Sequence, residues 1–162
     1  MKGSPVVIDL LNELLVADLT ASDLYLYCAR ELSDRGYHRL AAMFQHESEH
    51  EREHAEKQAD RIIFLEGQPE LAKRMPVTYP EGAEAMLRMS LDYEVDVAKK
   101  LRTAITTCDA EGDPGTRMLL ETLLRETEED HILWLEAELD VIGDIGVPLY
   151  LSKQMGAKPA PA

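Results

Sequence analysis

Only two of the 162 residues are cysteine, Cys28 and Cys108. They lie far apart, form no Cys-x-x-Cys pair and are too few for a disulfide framework, so reduced, non-catalytic thiols in a cytoplasmic setting are expected. A long hydrophobic run is also lacking. The apolar stretch after Met1-Lys2-Gly3-Ser4-Pro5 is broken by Asp9, Asn12 and Glu13, which argues against a signal-peptide core or a membrane span. Basic residues are scarce, with 17 Lys and Arg against 31 Asp and Glu and a formal net charge of -14. Such a surface repels nucleic acid phosphates and anionic membranes and favours cations. What is present is 45% hydrophobic residues, enough at this length for one domain with a core.

Four stretches carry helical periodicity, over about 5–34, 37–66, 81–111 and 114–143, each about 45 Å long if fully helical. Gly36 separates the first pair and Gly112-Asp113-Pro114 the last, with Pro114 suited to a first helical turn. These short turns predict antiparallel hairpins. The connection from Gly67 to Pro80 contains Pro69, Pro76 and Pro80 and is long enough to run the length of a bundle. Val147 to Met155 predicts a short fifth helix. The domain is expected over residues 1–156, with 157–162 as a flexible tail.

Two Glu-x-x-His elements carry the chemistry, Glu51-Arg52-Glu53-His54 and Glu128-Glu129-Asp130-His131. Glu and His three apart share one side of a helix and can grip one ion together. Each element follows a helix whose apolar face holds one isolated carboxylate. On the first helix Val7, Leu11, Leu14, Tyr25, Ala29 and Leu32 fall within about 40° of Asp18; on the third, Leu87, Ala98, Leu101 and Ile105 flank Glu94. A competing element, Glu47-Ser48-Glu49-His50, is set aside because His46 and His50 fall outside the apolar stripe that includes Glu51 and His54. Four carboxylates and two imidazoles converging in a core would repel one another unless a multivalent cation compensates them. Carboxylate with imidazole suits iron or manganese better than a thiolate-seeking metal.

Several motifs in order, Met1-Lys2-Gly3, His46-Glu47-Ser48, Arg61-Ile62-Ile63-Phe64-Leu65-Glu66-Gly67 and His131-Ile132-Leu133-Trp134-Leu135-Glu136, resemble bacterioferritin. The resemblance covers about residues 1 to 155. It implies an all-α, ferritin-like four-helix bundle with a long crossover between helices 2 and 3 and a short C-terminal fifth helix. It also implies iron storage and detoxification in a hollow 24-mer shell, in which each subunit oxidises Fe(II) to Fe(III) with dioxygen or hydrogen peroxide. Carried over by position, Glu51 and Glu128 would bridge two irons, Asp18 with His54 would complete one site, and Glu94 with His131 the other. Tyr25 would hydrogen-bond to the centre or donate an electron to it. A ferredoxin-type reductant for iron release is the partner implied.

Three features depart from the family pattern, and a pair of histidines adds to it. Asp18 stands where bacterioferritins have glutamate, a loss of roughly 1.5 Å of reach. Arg52 stands at the haem-ligating methionine, so no axial ligand for haem b is expected from this chain alone, and a mixed shell with a haem-binding subunit stays open beside a homomeric one. One extra residue in Arg125-Glu126-Thr127-Glu128 predicts a local helix bulge and draws attention to Glu126 and Glu129. His46 and His50 lie near a position where relatives take an additional iron. Two further functions are weighed against the ferroxidase. A small-molecule di-iron oxidase would want an organic pocket and an electron-transfer module, and no cysteine-rich iron module is visible. A structural shell subunit with a weakened centre would follow from Asp18.

Overall fold

Four long apolar stripes can be buried only against one another. In the computed structural model, which describes residues 2–157, they pack as an all-α bundle. Its elements are α1 (Pro5–Asp34), α2 (His38–Phe64), α3 (Ala83–Glu111), α4 (Pro114–Glu126), a π-helical turn (Thr127–Ile132), α5 (Leu133–Ile145) and α6 (Val147–Gln154). Backbone angles stay in the right-handed helical region at both junctions of the π turn, so α4, the turn and α5 form one rod. That rod is the expected fourth helix, carried through to Ile145. The expected fifth helix is α6, and the tail expected at 157–162 lies, from residue 158, outside the described residues.

The two hairpins form where the turn chemistry places them. Gly36 reverses the chain between α1 and α2 at φ +86°, a conformation that costs glycine nothing. Between α3 and α4, Gly112 lies at φ +70° and Asp113 Oδ1 accepts the Thr116 amide at 2.9 Å, an N-cap followed by Pro114. Arg61 of α2 bonds to Asp113 and Thr116, each at 2.8 Å, and ties the end of α2 to the start of α4.

The crossover climbs the outside of α1. Asn12 receives the Glu70 amide at 2.9 Å and donates to the Gln68 carbonyl at 3.1 Å; higher up, Thr20 Oγ1 accepts the Met75 amide at 2.9 Å. Higher still, the Tyr79 ring packs on Tyr27 with centroids 4.3 Å apart. The chain therefore re-enters the bundle beside the C-terminal end of α1, and α3 runs parallel to α2. Ser4 donating to Glu111 at 2.6 Å closes the opposite end. α6 caps the upper end, where the buried Tyr150 donates to Glu138 at 2.5 Å.

Two apolar blocks fill the interior. The lower contains Leu11, Leu14, Ile62, Leu101, Leu120 and Leu123; the upper contains Tyr25, Phe44, Met86, Leu87, Leu135 and Tyr150. Between them lies a belt of buried polar groups. No helix among the described residues is long and apolar enough to cross a membrane.

Candidate metal centre

The polar belt is assembled by all four rods. Asp18 comes from α1, Glu47, Glu51, His54 and Gln58 from α2, Glu94 from α3, and Thr127 and His131 from the π turn, and all of these are buried. Two groups of possible ligands meet in it. Asp18, Glu51 and His54 have one ligand atom each within 4.8 Å of one another, and so do Glu51, Glu94 and His131. Glu51 belongs to both, which puts a shared carboxylate between two neighbouring positions. The rings of His54 and His131, stacked 5.5 Å apart and inclined by 10°, both approach Glu51 Oε1, at 3.7 and 2.9 Å.

Hydrogen bonds hold part of this set in place. Gln58 Nε2 donates to Asp18 at 2.7 Å, and the Tyr25 hydroxyl donates to Glu94. Tyr93 donates to the Ala17 carbonyl at 2.8 Å, fixing α3 against α1 beside the centre. Other atoms lack a bond: Glu47 Oε2, Glu51 Oε1 and His131 Nδ1 are buried with no hydrogen-bond partner. Glu51 Oε1 lies 2.9 Å from His131 Nδ1, with Glu47 at 3.5 Å and Glu94 at 3.6 Å, a close packing of charge without hydrogen-bond alignment. Buried polar atoms are normally paired. Several unpaired carboxylate and imidazole atoms aimed at one another fit a divalent ion between them.

The electrostatics carry the same signature. Burial, then repulsion from Glu51 and Glu94, pushes the Asp18 carboxyl well above its ordinary range against the Gln58 bond. Burial and the Glu94 charge bring Glu51 up to about 7. Burial, with His131 and His50 beside it, lowers His54 to about 2, so it is neutral and free to coordinate. Burial disfavours charge on His131 too, yet Glu51 and Glu94 outweigh it and raise that imidazole well above its usual value. In the ion-free protein, protons on His131 and the carboxyls do the neutralising that a cation would do.

The chain matches the ferritin-like domain model over residues 8–145. It is 39% identical to the bacterial ferritin of Synechocystis sp. over 155 residues, covering 96% of this chain and 99% of that protein. It is 38% identical to the bacterioferritin of Brucella melitensis over 160 residues, covering 99% and 98%. The bacterioferritin of Streptomyces coelicolor is 36% identical over 94% of this chain and 90% of that protein.

The chain belongs to the ferritin-like family.

Within this ferritin-like bundle, five of the six residues expected to ligate metal come together: Asp18, Glu51, His54, Glu94 and His131. Glu128 does not join them. Its side chain is 40% exposed and pairs with Arg102 of α3. The extra residue noted between Arg125 and Glu128 is absorbed as the π turn, and the wider turn rotates Glu128 off the buried face while Thr127, 1% exposed, takes the inward position. Tyr25 contacts the centre through Glu94. Arg52 sits at the surface, 3.8 Å from Asp23, in the polar surroundings its neighbours implied.

Glu51 and His54 hold the inward positions on α2, and the neighbouring element Glu47-Ser48-Glu49-His50 also reaches the seam with the fourth rod. His50 lies outside the apolar stripe, yet its Nδ1 is 2.8 Å from His131 Nε2, and His50, His54 and His131 form a third close group. Glu47 is 5% exposed and faces His131. Their approach to His131 lies outside the apolar stripe because a helix wedged between two neighbours buries more than one face. Glu126 Oε2, 2.9 Å from His54 Nε2 and 3.2 Å from Lys57 Nζ, is a further neighbour; the extra residue beside it was its only sequence signal. His46 stacks on His50 at 6.1 Å, on the open groove lined by Met43, Glu53, Glu129 and Trp134.

Proposed function

We propose that this chain is a ferroxidase and iron-storage subunit, with Fe(II) as substrate. The observation that carries this reading is the sharing of Glu51 between two three-residue groups in a buried belt with unpartnered ligand atoms. Asp18 and His54 hold one ion with Glu51, and Glu94 and His131 hold the second. Bound Fe(II) supplies the electrons that reduce dioxygen or hydrogen peroxide. The protein's part is to bring anionic oxygens together where Fe(III) charge accumulates, and to keep two ions close enough to react as a pair. Gln58 fixes the short Asp18 side chain and Tyr25 fixes Glu94, so both carboxylates are oriented before an ion arrives.

The relatives' names, bacterial ferritin and bacterioferritin, support iron storage, and the oxidised iron is proposed to be deposited in a shell of 24 subunits. Arg52 offers no axial haem ligand, so a homomeric shell would be haem-free and a mixed one would take haem b from another subunit. The groove at His46 and His50 is the proposed place for an additional iron, next to the centre. A ferredoxin-type donor is the proposed reductant for release, and the cytoplasm the proposed compartment.

A second reading, a shell subunit with a weakened centre, is favoured by the outward turn of Glu128. Aerobic Fe(II) loading separates the two. A working centre gives rapid oxidation of about two Fe(II) per chain, abolished in Glu94→Ala, and hundreds of ions per assembly afterwards. Oxidation no faster than in Glu94→Ala would establish the weakened-centre reading. A monomer or dimer by size-exclusion mass would remove storage altogether.

A further inference from the structure

The extra residue in the fourth rod does more than remove Glu128 from the centre. In an α-helix the residues one turn before His131 are Glu128 and Thr127; with π-type i→i+5 bonding they become Thr127 and Glu126. Thr127 faces inward and offers no charge. Glu126, at the last residue of α4, lies on the α2 seam with its Oε2 2.9 Å from His54 Nε2. Lys57, one turn beyond His54, donates to the same oxygen at 3.2 Å.

An ionised carboxylate can only accept a hydrogen bond. Glu126 Oε2, already accepting from Lys57, is placed to accept from His54 Nε2 as well, and a proton on Nε2 leaves the Nδ1 lone pair on the side where Glu51 Oε1 lies 3.7 Å away and where Asp18 completes the group. We propose that Glu126 is the carboxylate through which the fourth rod serves this centre, as a positioning residue that sets the tautomer and orientation of His54. The proposal rests on the two-ion reading above. It makes the two positions unlike. His131 has its own outer contact, but from the imidazole of His50 at 2.8 Å, whereas His54 is backed by a carboxylate at 2.9 Å. A carboxylate behind a ligating histidine raises the basicity of the coordinating nitrogen, so the Asp18–Glu51–His54 position is the tighter of the two.

Co(II), which binds such ligands without oxidation, tests this in the assembled protein by calorimetry and visible absorption under nitrogen. The wild type is expected to take about two Co(II) per chain in two resolved affinity classes. Glu126→Gln, whose amide rotates to place its oxygen toward Nε2 but carries no charge, should weaken the tight class by roughly 10- to 100-fold and leave the weak class in place. Glu126→Asp should recover part of the loss, and Glu128→Gln should change neither class. If Glu128→Gln weakens binding and Glu126→Gln does not, the assignment is overturned while the two-ion centre stands. If Glu51→Ala leaves Co(II) binding intact, the two-ion reading fails and the proposal with it.

Discussion

Replacing Glu51 with glutamine in the metal-free protein tests the electrostatics of the belt directly. The Glu51 carboxyl is raised from 4.5 to about 7, first by burial and next by the Glu94 charge. Between those two values the folded state therefore holds a proton that the unfolded state has released. Stability then falls as pH rises, because the state that binds more protons is favoured at low pH. The contribution is fully present below about pH 4.5 and lost as pH passes 7. At about 1.4 kcal/mol per unit, the shift corresponds to about 3 kcal/mol, or roughly 6–12 °C in Tm for a chain of this size. Glutamine has no proton to lose. Calorimetric melts of chelator-treated wild type and Glu51→Gln, paired at each pH from 4.5 to 8.5, should diverge by this amount, with the variant more stable at the alkaline end. Titrating groups outside the belt and any assembly equilibrium cancel in the difference, while Asp18 and His131, whose shifts depend in part on Glu51, contribute to it. Added Co(II) should reverse the order, since the ion takes the place of the proton and is favoured by high pH in the wild type alone. Parallel melting curves for the two metal-free proteins would show that Glu51 titrates in its ordinary range and that the belt is not strained by unneutralised charge.

Asp18→Glu restores about 1.5 Å of reach and is expected to tighten Fe(II) binding and speed its oxidation several-fold; stopped-flow traces unchanged from wild type would show that Asp18 already reaches its ion. A pure homomeric preparation should show no strong Soret band, because Arg52 is a guanidinium held near Asp23; a bis-thioether-like haem spectrum would refute that. Arg61→Ala removes the bonds to Asp113 and Thr116 and should cost about 2 kcal/mol in thermal unfolding, with Co(II) affinity unaltered because the tie lies at the far end of α2.

Helix positions were legible because they depend on local pattern. Apolar spacing marked four rods, and Gly36 and Asp113-Pro114 marked the turns, since φ +86° at the one and a capped first turn at the other are properties of a few adjacent residues. The crossover was legible from its length and prolines, though its hydrogen bonds to Asn12 and Thr20 were not. Asp18 and Glu94 stood out as lone acids on apolar faces.

The fourth rod was different. Glu128 and Glu126 lie two residues apart on the same helix, and a straight α-helical projection assigns the inner face to the first. The inserted residue could have been accommodated as a loop, a kink or a π turn anywhere nearby, and each choice turns the carboxylates by a different angle. Packing against α2 and α3 gives the carboxylates their partners in the register adopted, Arg102 on one side and His54 with Lys57 on the other. The sequence alone thus determined the bundle, its connectivity and the residue types of the candidate metal centre. Only the tertiary structure decided which carboxylate of the fourth rod meets a histidine, since helix register at an insertion is set by neighbours that are distant in the chain.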